Sequence, residues 1–338
     1  MTDELTDFLR FLFESRERVV LTAITSSDPK VVRTEQFSDV DSAASWATVR
    51  NNEGFNLYYT VNPTRDISDK ISLGKRASGE DVIRVFAFKM DIDPVRPAGT
   101  SATDKEKAAT TERVLVPLLI FLKKTLGIQT TVIDSGSGFN VLIRLDPMNE
   151  VTQEFQRTCE MLIDFLAAKF SVRDVAILDT SVKDLPRILA LPGTIKRKGE
   201  ETSERPHREV KTVDLGESAN AEKFIAFAEE IAGVWGDRDL RRWVEKLPRF
   251  EQFHNGKLSL TGFLKKHAKL DVATVIRITN LYTRLRGEPE WDMEHEEQDN
   301  EKMVRETFEK DDDGISIEHL TPEQQKTLYQ IFEVIREP

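Results

Sequence analysis

The chain has 338 residues, 39% of them hydrophobic and 32% charged, enough for two domains and a sizeable core. It holds no run of about 18 apolar residues of the kind that spans a membrane, and its single cysteine, Cys159, excludes a disulfide framework and a cysteine-rich zinc site. The net charge of −11 argues against a nucleic-acid binder only until it is divided: residues 288–338 hold 17 acidic and 5 basic residues, which leaves 43 basic and 42 acidic in 1–287, free to form a local basic surface.

The opening MTDELTDFLRFLFESRERVV has no basic start followed by an apolar block, so no secretory signal is expected and the protein is expected to be cytoplasmic. Its pattern predicts a helix over about 3–16. The strand VVLTAI, a helix around Ala43–Val49 and the aromatic strand NLYYTVNP follow, the last stopped by Asn62-Pro63. Together these form an N-terminal α/β module. KRASGED, residues 75–81, reads as loop.

From Val82 the pattern is more regular. VIRVFAFKMDI is a strand; Lys105–Leu126 carries apolar residues at helical spacing and stops at Gly127. IQTTVID and FNVLIRL are strands joined by SGSG, a helix runs from about Val151 to Phe170, and short strands lie near VAIL and RILAL. The order strand–helix–strand–strand–helix–strand is that of a ferredoxin/RRM-like antiparallel sheet, with RILAL taken as its fourth strand. The fold class is therefore α+β. Beyond 216 the pattern is helical to 286, a small helical domain; 287–313 is acid-rich and reads as a flexible linker, and EHLTPEQQKTLYQIFEVI as a terminal helix within 287–338. EKDDDGISIE superficially matches a calcium loop but lacks the glutamate at its final position, and the five histidines, at 207, 254, 267, 295 and 319, show no metal-ligand spacing.

Three segments carry chemistry. In DIDP, Asp91 and Asp93 stand at i and i+2 on a strand and so share a face, an arrangement that is costly unless a cation lies between them. Taken alone the pair reads first as the solvated end of a strand, and DIDP by itself is a weak signal. In DSGSGFN, Gly136 and Gly138 permit close backbone approach to a phosphate while Ser135 and Ser137 supply donors, although the segment is also an ordinary flexible hairpin. LDTSVKDLPRILALPGTIKRKG adds Asp179 and an acid-free basic window, Pro186–Lys198, with Arg187, Lys196, Arg197 and Lys198; it suits a triphosphate, a nucleic-acid backbone or plain solvent. Converging on one sheet edge, the three would meet the needs of two-metal phosphoryl transfer.

Their order and wording resemble the archaeo-eukaryotic primase superfamily, specifically the bifunctional primase-polymerases of phages and plasmids, over about residues 10–215. Asp91 and Asp93 match the D-x-D of the first motif. SGSGFN matches the second except at its last place, where Asn140 stands for the usual histidine. Asp179, Arg187, Gly193, Thr194, Lys196 and Lys198 match the third, and LYYTVNP and KGEETSERPHR resemble the flanks. The resemblance implies a primase-polymerase catalytic domain at 1–215, followed by the helical domain at 216–286. It implies that Asp91, Asp93 and Asp179 bind two ions, Mg²⁺ or Mn²⁺. It further implies that Ser135, Gly136, Ser137, Gly138, Asn140, Arg187, Lys196 and Lys198 bind a nucleoside triphosphate. The basic residues Arg197, Arg205, His207 and Arg208 are the expected contacts to a single-stranded DNA template or primer. An asparagine at 140 still donates a hydrogen bond but carries no charge. The reading of a template-dependent primase-polymerase therefore stands beside two others: a non-catalytic single-strand-binding module that recruits a helicase through its C-terminal part, and another metal-dependent phosphoryl-transfer enzyme.

Overall fold

A computed structural model describes residues 3–310 and 320–332. Most of the calcium-like stretch, the end of the expected linker and both ends of the expected terminal helix lie outside the described residues. The chain divides into two compact units, Met1–Ala228 and Glu229–Pro338.

The first unit opens with α1 (Asp3–Phe13), whose Leu5, Phe8, Leu9 and Leu12 fall at helical spacing and are all buried. Burial of each such side chain contributes on the order of 1.5–3 kcal/mol. They pack with Ala43, Ala44 and Ala47 of α2 (Val40–Asn52), a helix started by Asp39, which accepts a hydrogen bond from Ser42 N at 2.8 Å. Both helices cover an antiparallel sheet of β1 (Val19–Ile24), β2 (Val32–Phe37), β3 (Asn56–Thr60) and the late strand β8 (Ile188–Ala190), in the order β2-β1-β3-β8. Between β3 and the next strand lie α3 (Ser68–Ser72) and a 3₁₀ turn, Gly79–Asp81, inside the expected loop. The loop is pinned by the buried Asp81, which accepts hydrogen bonds from Lys70 Nζ at 2.6 Å and Ser78 N at 2.8 Å and pairs with Arg65 at 2.9 Å.

The second sheet is built from β4 (Val85–Pro94), β5 (Thr131–Asp134), β6 (Phe139–Asn149) and β7 (Ala176–Leu178), antiparallel throughout in the order β5-β6-β4-β7. This is the ferredoxin-like order, and the molecule is an α+β protein with antiparallel sheets. The helix between β4 and β5 consists of α4 (Asp104–Thr110), a π turn over Thr111–Leu115 and α5 (Val116–Leu126), ending at Gly127 with φ +67°. A second helix, α6 (Gln153–Phe170), joins β6 to β7. Two short strands, β9 (Ile195–Lys196) and β10 (Arg208–Glu209), pair with one another; β11 (Lys211–Asp214) extends the second sheet beyond β5, and β12 (Ser218–Asn220) runs parallel to β6.

One expectation is corrected here. RILAL is not the fourth strand of the ferredoxin-like unit. That place belongs to β7, which pairs with β4 at Ile92↔Leu178, whereas RILAL forms β8 on the edge of the N-terminal sheet at Tyr59↔Leu189. The reason is packing: Leu189, Ala190 and Leu191 are buried in the core shared with α1 and β3. The following turn is also fixed there. Gly193 has φ +76°, and a Cβ on it would stand 2.5 Å from Leu5 N.

The helix α7 (Ala221–Trp235) runs across the division, and the second unit continues with α8 (Arg238–Lys246), α9 (Phe253–Lys266), α10 (Val272–Arg286), α11 (Met293–Glu309) and α12 (Pro322–Ile331). The stretch expected as linker from 287 is thus helical over most of its length. Its acid-rich sequence is anchored by polar contacts: Lys257 of α9, 2% exposed, donates to Asn300 Oδ1 at 2.7 Å and lies 3.2 Å from Glu296 Oε2. Asn300 in turn donates to Thr283 Oγ1 at 3.0 Å. The 286/287 boundary expected from the sequence therefore falls between two helices that pack on each other, and the boundary expected at 215/216 falls within the first unit.

Candidate functional site

Asp91 and Asp93 project from one face of β4, near the end where β4 is flanked by β6 and β7. The pairing places Asn140 of β6 opposite Asp91, and Asn140 Nδ2 donates to Asp91 Oδ1 at 2.8 Å. On the other side Asp179, just past β7, donates its backbone N–H to Asp91 O at 2.8 Å. The three acids therefore lie on adjacent strands at one level. The Asp179 carboxylate, however, accepts from Ser181 N and Ser181 Oγ, both at 2.8 Å. Among the described residues no three Asp, Glu, His or Cys side chains form a group able to hold a metal ion.

The Asp91 carboxyl is pushed up to about 7, first by burial and then by the charge of Asp93, against the opposing pull of Lys196. A cation held between the two acids would offset both the burial and the repulsion. The donor chemistry of Asp91 and Asp93 thus fits a hard divalent ion, and Asp179, with one Ser181 contact on each carboxylate oxygen, keeps lone pairs free to join them. Arg96 partly neutralises the pair, its Nη2 donating to Asp93 Oδ1 at 3.0 Å.

A cleft of about 420 Å³ opens over these acids, with Asn56, Tyr58, Lys196 and Lys198 among its lining residues. Burial pushes the Lys196 ammonium down, with Asp91 and Asp93 opposing the shift; burial and then Arg96 do the same to Lys198. Among the described residues neither lysine forms an ion pair. Tyr58 is pushed up by burial and by Asp91.

The glycine-serine turn borders the cleft. Gly136 takes φ +84°, and its N–H donates to Asp134 Oδ1 at 2.9 Å. A Cβ on Gly138 would meet Ile92 O at 2.4 Å, so this glycine lets the turn lie against β4 beside Asp93. Ser135 lines the cleft, while the Ser137 hydroxyl is buried 3.3 Å from Ser101 Oγ. The turn is further tied down by Lys107, whose Nζ lies 2.5 Å from Asp134 Oδ2.

The remaining candidates are spread more widely. Arg187 lines a second cleft of about 470 Å³, with Thr60, Arg76 and Asp184. Its Nε sits 2.7 Å from Asp184 Oδ1 and its Nη2 donates to Ser181 O. Arg197 lines the first cleft, but its backbone is held by Asn56. Arg205 grips Glu106 with two bonds of 2.9 and 2.7 Å, and Arg208 pairs with Asp104 at 2.6 Å. His207 Nε2 lies 3.1 Å from Gly199 O. These last three side chains thus bind the protein's own acceptors.

Sequence reasoning missed Asn56, Tyr58, Arg96 and Lys107. A signal existed for two of them: Asn56, Tyr58 and Thr60 alternate along one face of NLYYT, which places Tyr58 with whatever that face covers.

No protein-family model and no curated protein matches the sequence. Among solved structures the chain is similar to primase RepB', with 12% identity and a TM-score of 0.39 over 97% of this chain and 98% of that one. It is similar to the catalytic domain of primase Repb' in complex with initiator DNA, with 10% identity and a TM-score of 0.38 over 70% of this chain and 100% of that one. A third is the polymerase domain of Ligase D from Mycobacterium tuberculosis in complex with DNA, with 10% identity and a TM-score of 0.37 over 69% of this chain and 91% of that one.

Proposed function

We propose that the cleft binds a nucleoside triphosphate and that the chain transfers its nucleotidyl group to a strand of DNA. In this reading it is a template-dependent primase-polymerase serving the replication of a phage, plasmid or other mobile element. The observation that carries it is the opposition of charges across one cleft: Asp91 and Asp93 on β4 against Lys196 and Lys198. Asp91 and Asp93, with Asp179 one strand over, are the residues that would hold Mg²⁺ or Mn²⁺. Such an ion supplies Lewis acidity at the reacting phosphoryl group and lowers the cost of ionising the attacking hydroxyl. Lys196 and Lys198 would neutralise the triphosphate oxygens, and their reduced basicity reflects how poorly solvated they are without an anion. Asn140 would orient Asp91 instead of reaching the phosphates.

The test is metal-dependent incorporation of nucleotides on a single-stranded template, bare or primed, with Mg²⁺ and with Mn²⁺. Wild type should extend and Asp91→Ala/Asp93→Ala should not. Equal incorporation by the two would remove the assignment.

A second reading is motivated by the neutral donors, Asn140 and Ser181, that already engage Asp91 and Asp179. Here the chain is a single-strand-binding module that recruits a helicase through its C-terminal part. Tight binding of single-stranded DNA without incorporation under either metal would favour it.

A further inference from the structure

Lys196 and Lys198 sit on a segment with little regular structure of its own, since β9 spans only Ile195–Lys196. One edge of this segment faces β10, and Val210 N donates to Thr194 O at 2.8 Å. Along the other edge, among the described residues, no strand is hydrogen-bonded through its backbone, although β3 begins there. Two buried asparagine side chains take that place.

Asn51, in the last turn of α2, donates from Nδ2 to Ile195 O at 2.8 Å and accepts at Oδ1 from Ile195 N at 2.9 Å. Two residues further along, Asn56 repeats the pattern on Arg197, donating to its O at 2.8 Å and accepting from its N at 2.5 Å. Each amide thus satisfies one residue's N–H and C=O together, as a neighbouring strand would. Asn51 also donates to Phe55 O at 2.9 Å, and Asn56 to Ser26 Oγ at 3.0 Å. Ser26 Oγ completes the latch by donating to Arg197 O at 2.7 Å. At 8% and 7% exposure the two asparagines are largely withdrawn from solvent, so each lost bond leaves a peptide group of this half-buried segment without its partner.

The consequence follows from the alternation of side chains in extended chain. With Ile195 and Arg197 fixed by their main chains, Lys196 and Lys198 must both project to the opposite face, toward Asp91 and Asp93. A slip of one residue would turn both lysines away. We propose that Asn51 and Asn56 are positioning residues that hold Lys196 and Lys198 in register for a bound polyphosphate. The inference rests on the reading of this cleft as a phosphate site and adds the elements that aim its cations.

Calorimetric titration of the full chain with inorganic tripolyphosphate, without metal, tests it. Asn56→Ala is expected to weaken binding about tenfold, the effect of one or two buried hydrogen bonds acting on a charged contact. Lys196→Ala should lose at least as much, and because Asn56 also aims Lys198 the double variant should lose more than Lys196→Ala alone but clearly less than the sum of the two single losses. Unchanged binding by Asn56→Ala, or losses that add in the double variant, would overturn the proposal. Unchanged binding by Lys196→Ala overturns it too, and only that result also removes the phosphate reading of the cleft. If Asn56→Ala does not fold, Asn51→Ala and the milder Ser26→Ala go through the same cycle with the same criteria.

Discussion

Asn140 Nδ2 donates a 2.8 Å hydrogen bond to Asp91 Oδ1, while Asn140 Oδ1 is buried with no hydrogen-bond partner among the described residues. Asn140 is therefore engaged with an acid, to which it offers a neutral donor. Asn140→Leu should lower Mn²⁺ affinity about 10–100-fold, the usual effect of removing an outer partner of a metal-binding carboxylate. Tripolyphosphate affinity should change little. Electron paramagnetic titration of Mn²⁺ beside calorimetry of the anion checks both, and the reverse pattern would return Asn140 to the phosphates.

Asp91 makes folding sensitive to pH in a direction opposite to most carboxylates. Its pKa is raised in the fold to about 7, so between about 4 and 7 the native state holds a proton that the unfolded chain has released. Stability from this group is full below the unfolded pKa and is lost as pH rises through 7. In chelator, Asp91→Asn should therefore melt a few degrees above wild type at pH 8, with the gap closing toward pH 4. Adding Mn²⁺ at pH 8 should raise the wild-type midpoint and not that of Asp91→Asn. Thermal melts across this range decide it.

Gly138→Ala places a methyl where Ile92 O already stands, 2.4 Å away. The turn must lift from β4 beside Asp93. Overpacking of this kind costs about 1–3 kcal/mol, and incorporation should fall by more than tenfold because the displaced turn borders the acids. Denaturant unfolding and an activity assay on the same sample separate the two effects; wild-type activity would refute the account of this glycine.

In the helical unit, Lys257→Ala removes the buried ammonium that joins Glu296 and Asn300 to α9. Breaking a buried charged contact from one side costs about 3 kcal/mol. Amide exchange over Met293–Glu309 should accelerate sharply. Exchange as fast in wild type as in the variant would mean that this stretch is the loose linker its composition suggested.

The parts of the fold legible in the sequence are those whose residues state their own period. VFAFKMDI alternates and becomes β4; the apolar spacing of Lys105–Leu126 and Val151–Phe170 becomes helix. The choice of partner strand is not local. RILAL reads equally well beside β4 or β3, and only burial of Leu189 and Leu191 against α1 and β3 decides it. Asp91 and Asp93 stood out because their spacing gives them a common face, and Lys196 and Lys198 because they lie in a basic window free of acids. Asn51 and Asn56 did not, because an asparagine at a helix end or strand start reads as a cap, and what it grips lies some 140 residues away. Met293–Glu309 was hidden by its acids: polar residues such as Asn300 do the anchoring that apolar periodicity would have announced.

The late strand β8 has one more consequence. Because β3 completes its edge with residues 188–190, the N-terminal module is not an independent building block despite its position in the chain. A fragment ending near residue 80 would expose the bare edge of β3, an invitation to intermolecular pairing. The wall bearing Tyr58 and the wall bearing Asp91 are stitched by a chain that crosses from β7 to β8, so they should be lost together in a single cooperative transition. Grafting one wall without the other, in recombination or in design, should yield aggregates instead of half a site.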